Sequence, residues 1–204
     1  MKLNAGWLPA SDAPSALLAD VVVPRVSVGT KHDAAGAVFS TRIEEYTWAA
    51  TQLDFWPRGR LLDAGAGFNP EIHVMSYIAA NLGYDVTALD ANASALHDMP
   101  PHAHVHRELG DLCVLPFEQE SFDVWLCISV IEHMLEAEKA LALYEAHRVL
   151  QRGGIALLTT DETAPEVLTD LFESAGFLTG PVLNFNGGQH LMPRVSWIVA
   201  QKPF

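Results

Sequence analysis

The chain has 204 residues, of which 50% are apolar and 18% charged, and this composition fits one globular domain and excludes a disordered chain. Its 12 basic residues stand against 25 acidic ones, which gives a formal net charge of −13. Because proteins bind nucleic acids through basic side chains that neutralise phosphates, this balance argues against a nucleic-acid partner. The apolar stretch at residues 17–23 is too short for a membrane span and contains Asp20, so we expect a cytoplasmic protein without a membrane segment.

Two cysteines, Cys113 and Cys127, are too few for a disulfide framework. Both lie in apolar, strand-like contexts, where a free thiol behaves as a small buried hydrophobe. We therefore expect two buried free thiols, as is usual in a reducing compartment.

The first 58 residues predict an N-terminal arm and a lid helix, set apart from a ligand-binding domain over residues 59–204. Prolines and a glycine punctuate residues 1–40, which favours an extended segment lying over the domain. The capping-box pair Thr41 and Glu44 then opens a run of apolar residues at helical spacing. We expect this helix to end before Pro57.

Two aromatic residues of this helix, Tyr46 and Trp48, leave two interpretations open. Aromatic side chains most often pack in a core, because they bury a large apolar area. The alternative is that they form a lid over a ligand pocket.

Residues 61–70 read Leu-Leu-Asp-Ala-Gly-Ala-Gly-Phe-Asn-Pro, a pattern that predicts the end of a strand, a glycine turn and the start of a helix. Gly65 and Gly67 let the backbone turn tightly and approach a ligand closely. Asn69 and Pro70 suit the N-cap and the first position of the helix. Ligands of open α/β sheets bind at the carboxyl ends of the strands, so this turn is the first candidate site.

The residues of this turn favour one kind of ligand over another. A dinucleotide fingerprint needs a third glycine where this chain has Pro70, and the carboxylate of Asp63 repels a pyrophosphate. A nicotinamide enzyme is therefore the weaker alternative. The stretch resembles motif I of the class I S-adenosylmethionine-dependent methyltransferases, in which an acidic residue precedes Gly-x-Gly-x-Gly. Asn69 replaces the third glycine, a mild departure because asparagine tolerates a left-handed backbone. The resemblance implies that the donor binds at Asp63, Ala64, Gly65, Ala66, Gly67 and Asn69.

A second strand is predicted over residues 84–89, after a helix that Gly83 ends, and it leads into Asp90. A carboxylate at a strand tip can accept two hydrogen bonds from a ribose diol. The resemblance implies this role for Asp90, with Ala91 beside it. Capping of the next helix by Asp90 is the alternative.

Three histidines, His102, His104 and His106, alternate in the sequence and would share one face of a strand. Three imidazoles on one face could bind zinc. However, we expect this strand at the edge of the sheet, where polar side chains ordinarily discourage pairing between molecules. We therefore expect no metal site here.

Residues 110–112 read Gly-Asp-Leu, and Leu-Pro-Phe follows at 115–117. This pair of segments is similar to the "Gly-Asp … Leu-Pro-Phe" region of the same family. The resemblance implies that Asp111 receives the adenine amino group and that the neighbouring backbone amide, at Leu112, meets the ring. The alternative is that Asp111 is an ordinary turn residue.

Residues 122–128 are almost continuously apolar, which is typical of a central parallel strand buried on both faces. The sequence Ser-Val-Ile-Glu-His follows at 129–133 and resembles the family branch that methylates small molecules. This resemblance implies that Ser129 lines the donor pocket. His133 would lie near the transferred methyl group, where a histidine can remove a proton from an acceptor at neutral pH. The alternative for His133 is a histidine at the start of a helix that bonds to backbone.

The last third of the chain continues the alternation of helices and strands. A helix is expected to end at a glycine turn in residues 151–154, before a strand at 155–159. Thr163 and Pro165 predict the start of a further helix. Strands at 182–185 and 195–200 follow, joined by a long loop. The family resemblance implies that the last strand inserts antiparallel between the fifth and sixth strands, with this loop on the ligand side.

These elements predict an α/β fold: a doubly wound, mostly parallel seven-stranded sheet with the last strand antiparallel and helices on both faces. The resemblance implies an S-adenosylmethionine-dependent methyltransferase that acts on an oxygen or nitrogen of a small molecule by in-line methyl transfer. A non-catalytic S-adenosylmethionine-binding sensor, or a structural partner subunit, is the alternative, because donor motifs report binding and not transfer.

Overall fold

The computed structural model describes residues 31–32, 38–39, 41–67, 75–161, 164–185 and 195–204. A two-stranded antiparallel pair comes first, formed by β1 (Lys31–His32) and β2 (Val38–Phe39). Helix α1 (Thr41–Phe55) follows and ends before Pro57, as predicted. The expectations for most of residues 1–40, for Asn69 and Pro70, for Thr163 and for the loop before the last strand lie outside the described residues.

One large sheet forms the centre of the molecule. Its strands are β3 (Arg60–Ala64), β4 (Asp85–Asp90), β5 (Val105–Leu109), β6 (Phe122–Ile128), β7 (Leu150–Asp161), β8 (Leu178–Thr179), β9 (Leu183–Phe185) and β10 (Val195–Gln201). They lie in the order β5-β4-β3-β6-β7-β10-β8. Strands β3 to β7 pair in parallel, and β10 runs antiparallel to β7, which confirms the predicted insertion of the last strand.

The outer strand beside β10 is divided into the short strands β8 and β9, which both pair with β10. Gly180 and Pro181 lie between them. Pro181 has no backbone N–H to donate to the ladder, so regular pairing is interrupted at this point. Among the residues that the structure describes, the sheet therefore has eight strands in seven positions, and the predicted seven-stranded architecture holds.

Helices cover both faces of the sheet, because alternate residues of the central strands point to opposite sides. Leu61 packs with helix α1, and Leu62 packs in a second core on the other face. The helices α1, α2 (Met75–Asn81) and α3 (Ala93–Asp98) contribute to the first core, and α4 (Glu136–Val149) and α5 (Pro165–Ser174) to the second. Packing on both faces thus holds the strands in place, and with them the positions of their carboxyl ends on the ligand side of the sheet.

The aromatic residues of α1 belong to the first core. Tyr46 and Trp48 are buried, and the Trp48 ring lies 5.4 Å from the ring of Trp197 on β10. These contacts agree with the packing interpretation of both residues.

Two local expectations are wrong. Of the three alternating histidines only His106 lies in β5; His102 and His104 lie in the turn before it, where the His104 amide donates to Nδ1 of His102. The glycines at 153–154 do not separate α4 from a later strand, since β7 begins directly at Leu150. Gly153, with φ +76°, instead lies within β7, close to a shift in the β6–β7 register.

The thiols of Cys113 and Cys127 are both free, as expected, but only Cys127 is fully buried. Cys113 is half-buried in the loop after β5 and not in a strand. Within the described ranges, no helix has the length and apolar character needed to cross a membrane.

Candidate active site

The carboxyl ends of the parallel strands meet at one edge of the sheet. The chain passes from β3 to β4 on one side, and β6 lies on the other side of β3, so the sheet changes winding direction between β3 and β6. Ligands of open α/β sheets bind at such a switch point. Asp63, Asp90 and Ser129 come to this edge from three neighbouring strands, as the sequence predicts.

The glycine turn after β3 has a backbone that only glycine adopts readily. Gly65 and Gly67 have φ values of +77° and +45°. The amides of Gly65 and Ala66 both donate to the Leu89 carbonyl at 2.9 Å, which ties the turn to β4. A Cβ atom on Gly65 would lie 2.6 Å from Cγ2 of Val130, so there is no room for a side chain. Ala64 and Ala66 are buried, which leaves the backbone of this turn as the part that can meet a ligand.

Asp63 is a buried carboxylate at the tip of β3. Its Oδ2 atom accepts a 2.5 Å hydrogen bond from Ser76 Oγ on α2. Burial is the main reason that the pKa of Asp63 is raised to about 6; the Ser76 hydrogen bond opposes this rise, and the nearby charge of Asp90 adds to it. The group is therefore an anion at neutral pH in a place that disfavours charge, and a cationic ligand would stabilise it.

This shift makes the stability of the protein depend on pH. The pKa of Asp63 is about 6 when folded and near its ordinary value of 3.8 when unfolded, so the folded state holds the proton more tightly. The proton on Asp63 therefore stabilises the folded state. This stabilisation is complete below the pKa of the unfolded state and is lost as pH rises through the pKa of the folded state. From pH 4 to 7 we expect wild type to lose about 2 kcal/mol of unfolding free energy relative to Asp63→Asn. Urea titrations of both proteins at the two pH values measure this, and parallel pH profiles would contradict it.

Asp90 links the tip of β4 to the glycine turn. Its Oδ2 accepts from the Gly67 amide at 2.8 Å, and its Oδ1 accepts from the Asn92 amide at 2.8 Å. Asn92, and not Asp90, caps α3, because its side chain accepts from the amide of Ser94 at 3.0 Å. The capping interpretation of Asp90 is therefore wrong, and Ala91 beside it is exposed.

Asp111 lies in the loop after β5 and shapes a turn there. Its Oδ1 accepts from the Cys113 amide at 2.8 Å, and its carbonyl accepts from the Val114 amide at 3.1 Å. The turn interpretation of Asp111 thus has a clear basis. Leu112 is buried in the second core and anchors the loop.

A pair of charged residues on α4 braces this loop, which the sequence did not indicate. Arg148 donates to the carbonyls of Phe117 at 2.7 Å and Leu115 at 3.0 Å. Glu145 accepts from the Leu115 amide at 2.8 Å and pairs with Arg148 at 2.7 Å. The bond to Arg148 lowers the pKa of Glu145. The two side chains hold the loop through its backbone atoms, so this contact does not depend on which side chains the loop carries.

Ser129 forms a sharp elbow where β6 ends. Its φ of +49° is left-handed, which is uncommon for a residue other than glycine, and its side chain is buried. Its amide donates to the Thr159 carbonyl at 3.0 Å, and its hydroxyl donates to Oε1 of Glu45 at 2.5 Å. Thr159 Oγ1 donates to the same Glu45 oxygen at 2.5 Å.

Glu45 is the site residue that sequence reasoning missed. It is a carboxylate on α1, none of its surface is exposed, and it lies at the tips of β6 and β7. The one available indication is its position on the buried face of α1, four residues before Ala49 and eight before Leu53. A charged residue on an apolar helix face points to a buried polar partner.

The Glu-His pair follows the elbow in a short 3-10 helix, Ile131–His133. The His133 amide donates to the Val130 carbonyl at 3.0 Å, and its side chain is exposed. Glu132 is half-buried, and its Oε2 accepts from Thr160 Oγ1 at 3.2 Å. Burial raises the pKa of Glu132. In the part of the chain that is described, no group of three His, Cys, Asp or Glu residues is placed to hold a metal ion.

Comparison with protein families gives one match. Residues 62–158 match the model of a family described as "Methyltransferase domain". This segment runs from β3 through β7 and contains the glycine turn, Asp90, Asp111 and the Ser129 elbow. No curated protein matches the chain.

Several solved structures share the fold. An S-adenosylmethionine-dependent methyltransferase from Mesorhizobium loti is 16% identical with a TM-score of 0.65, over 77% of this chain and 98% of that one. The 1,6-didemethyltoxoflavin-N1-methyltransferase of Burkholderia thailandensis, solved with 1,6-didemethyltoxoflavin and S-adenosylhomocysteine bound, is 17% identical with a TM-score of 0.64, over 78% of this chain and 79% of that one. A TehB-like S-adenosylmethionine-dependent methyltransferase from Corynebacterium glutamicum is 22% identical with a TM-score of 0.58, over 75% of this chain and 86% of that one.

Proposed function

We propose that this chain, which belongs to the class I S-adenosylmethionine-dependent methyltransferases, transfers a methyl group to an oxygen or nitrogen atom of a small molecule. The observation that carries the proposal is the meeting of Asp63, Asp90 and the Ser129 elbow around a side-chain-free glycine turn. These groups lie at the carboxyl edge of the sheet, where open α/β sheets bind their ligands.

The residues at this edge fit the family's donor, S-adenosylmethionine. The bare backbone at Gly65 and Gly67 allows a ligand to approach without a Cβ in the way. We assign the ribose diol to Asp90 and the adenine amino group to Asp111, since each carboxylate oxygen can accept more than one hydrogen bond. Asp63 supplies a negative charge toward the positively charged part of the donor, and Ser129 lines the pocket.

The chain's own contribution to methyl transfer is chiefly positioning. S-adenosylmethionine supplies a methyl group that its sulfonium already activates, so the protein needs to align the acceptor in line with it and exclude water. His133 is exposed beside the elbow and can take a proton from an acceptor hydroxyl or amine. Glu132, whose pKa is raised by burial, lies next to it in the same short helix.

A small acceptor is supported by charge and by comparison. The formal net charge of −13 disfavours a nucleic acid as substrate. The structurally similar Burkholderia protein is named as a 1,6-didemethyltoxoflavin-N1-methyltransferase, and this name describes methylation of a nitrogen atom of a small molecule. We therefore propose a hydroxyl or amine of a metabolite-sized compound as acceptor.

Calorimetric titration with S-adenosylhomocysteine and a methyl-release assay against a panel of hydroxyl and amine metabolites test this function. We expect saturable binding of the demethylated donor and turnover of at least one panel compound. Binding without turnover of any compound would favour the non-catalytic sensor or partner subunit instead. Absence of binding by a folded protein would contradict the proposed donor site itself.

Replacing His133 by alanine is expected to lower turnover of the acceptor by about 100-fold and to leave donor affinity unchanged, because general-base assistance acts only on the acceptor. Methyl-transfer kinetics and calorimetry on the same preparation separate the two effects. His97→Ala, which removes another exposed histidine on α3, is the matched control and should behave as wild type. Unchanged turnover in His133→Ala would remove this residue from catalysis.

A further inference from the structure

We infer that Glu45 is a positioning residue of the methyltransferase site: it holds the Ser129 elbow against the glycine turn that binds the donor. The inference rests on the proposed donor site and adds a residue outside the segment that matches the family model. Glu45 belongs to α1, which precedes the first strand of the large sheet.

Glu45 contacts the tips of two strands of the large sheet. One oxygen, Oε1, accepts from Ser129 Oγ and from Thr159 Oγ1, each at 2.5 Å. Ser129 directly follows β6 and Thr159 lies near the end of the adjacent strand β7, so a single carboxylate joins the ends of both strands. Because Glu45 is fully buried, water cannot replace these bonds.

The contact with Glu45 supports an unusual backbone conformation at Ser129. Ser129 holds a φ of +49°, and a left-handed conformation is unfavourable for residues with a Cβ. Such conformations persist where surrounding contacts over-determine them, and they concentrate at functional sites. Its amide bond to the Thr159 carbonyl and its hydroxyl bond to Glu45 restrain Ser129 from two sides.

The Ser129 elbow in turn contacts the glycine turn through the next residue. Val130 follows Ser129 directly, and its two Cγ atoms lie 2.6 and 2.8 Å from where a Cβ on Gly65 would be. The Val130 side chain therefore closes directly on the Gly65 backbone. A shift of the elbow moves this side chain, and with it the surface on which the glycine turn is packed.

Attachment of α1 to the sheet does not by itself require a carboxylate at this position. The Trp48 ring already packs at 5.4 Å from the ring of Trp197, and Tyr84 Oη donates to the Leu53 carbonyl at 2.8 Å. A buried charge is costly to desolvate, and an apolar side chain of similar volume usually packs a helix at least as well. The hydrogen bonds to the two hydroxyls therefore explain why a carboxylate stands at Glu45 better than packing of the helix does.

A double-mutant cycle with Ser129→Gly tests the inference, because glycine adopts the elbow conformation without strain and has no hydroxyl to hold. Glu45→Ala alone is expected to weaken S-adenosylhomocysteine binding by about tenfold, the size of one lost hydrogen bond to a buried charge. In the Ser129→Gly background the same change should weaken binding by less than about threefold. Glu45→Gln keeps an oxygen that accepts from both hydroxyls, so it should restore most of the affinity.

The controls separate positioning from loosening of α1. Gln52→Ala removes another buried polar residue of the same helix and should leave donor affinity unchanged. Urea titrations give the unfolding free energy of every variant. Equal losses of affinity from Glu45→Ala in both backgrounds, or coupling in unfolding alone, would overturn the inference. Failure of wild type to bind S-adenosylhomocysteine would instead overturn the proposed function from which it starts.

Discussion

Gly65→Ala is expected to destabilise the protein by about 3 kcal/mol, the sum of a left-handed backbone penalty and an overpacked contact. The backbone penalty arises because Gly65 has φ +77°, and the contact because the new Cβ would lie 2.6 Å from Val130. The turn must shift to relieve it, so binding of S-adenosylhomocysteine should also weaken by more than about tenfold. Urea unfolding and calorimetry measure the two effects.

Gly83→Ala is the matched control for this change. Gly83 also has a positive φ, +96°, but its nearest neighbour to an added Cβ is Arg58 Cγ at an ordinary 3.7 Å. It should therefore show only the backbone penalty of about 1–2 kcal/mol and no loss of donor affinity. Combining Gly65→Ala with Val130→Ala removes the two shortest contacts, at 2.6 and 2.8 Å, and leaves only the Val130 Cβ atom at 3.2 Å, so it should recover part of the stability. Equal losses at the two glycines would show that the Val130 contact is unimportant.

Asp90→Ala is expected to weaken S-adenosylhomocysteine binding by about 100-fold, because charge-assisted hydrogen bonds are roughly twice as strong as neutral ones. The variant loses the proposed acceptor of the ribose diol. It also loses the 2.8 Å bond to the Gly67 amide, which fixes the glycine turn against β4, and the 2.8 Å bond to the Asn92 amide, which shapes the chain directly after β4. Calorimetric titration of the folded variant gives the affinity directly.

Two further variants make this result specific. Asp90→Asn retains one carbonyl oxygen and should fall between wild type and Asp90→Ala. Asp85→Ala removes a carboxylate from the opposite end of the same strand, where it contacts His106 at 3.0 Å, and should bind as wild type does. If Asp90→Ala folded and bound the ligand as tightly as wild type, the assignment of the ribose to β4 would be wrong.

Much of this fold could be predicted because local patterns determine it. The almost continuously apolar run at residues 122–128 coincides with strand β6, because a strand that is buried on both faces has few polar positions. Asp90 lies at the strand tip where the spacing from the glycine turn places it. The antiparallel insertion of β10 could be predicted only from the family resemblance, because the residues of a strand do not indicate which strands it pairs with.

The unpredicted features depend on contacts between distant parts of the chain. Glu45 meets Ser129 across 84 positions and Thr159 across 114, so no local pattern could pair them. The brace at Arg148 is hidden for a related reason: it holds carbonyls at 115 and 117, and a carbonyl has no sequence signature. The glycines at 153–154 were misplaced because a glycine pair marks a bulge in a strand as readily as a turn.

The brace of α4 on the loop at residues 111–117 also bears on the thermodynamics of ligand capture. Three hydrogen bonds from Arg148 and Glu145 fix this loop before any nucleoside arrives, and an ion pair between the two side chains supports them. A preorganised loop loses little conformational entropy on association, so more of the intrinsic interaction energy remains as affinity. The amide of Leu115 should accordingly exchange slowly with deuterium even in the ligand-free enzyme, and saturation with S-adenosylhomocysteine should slow it little further.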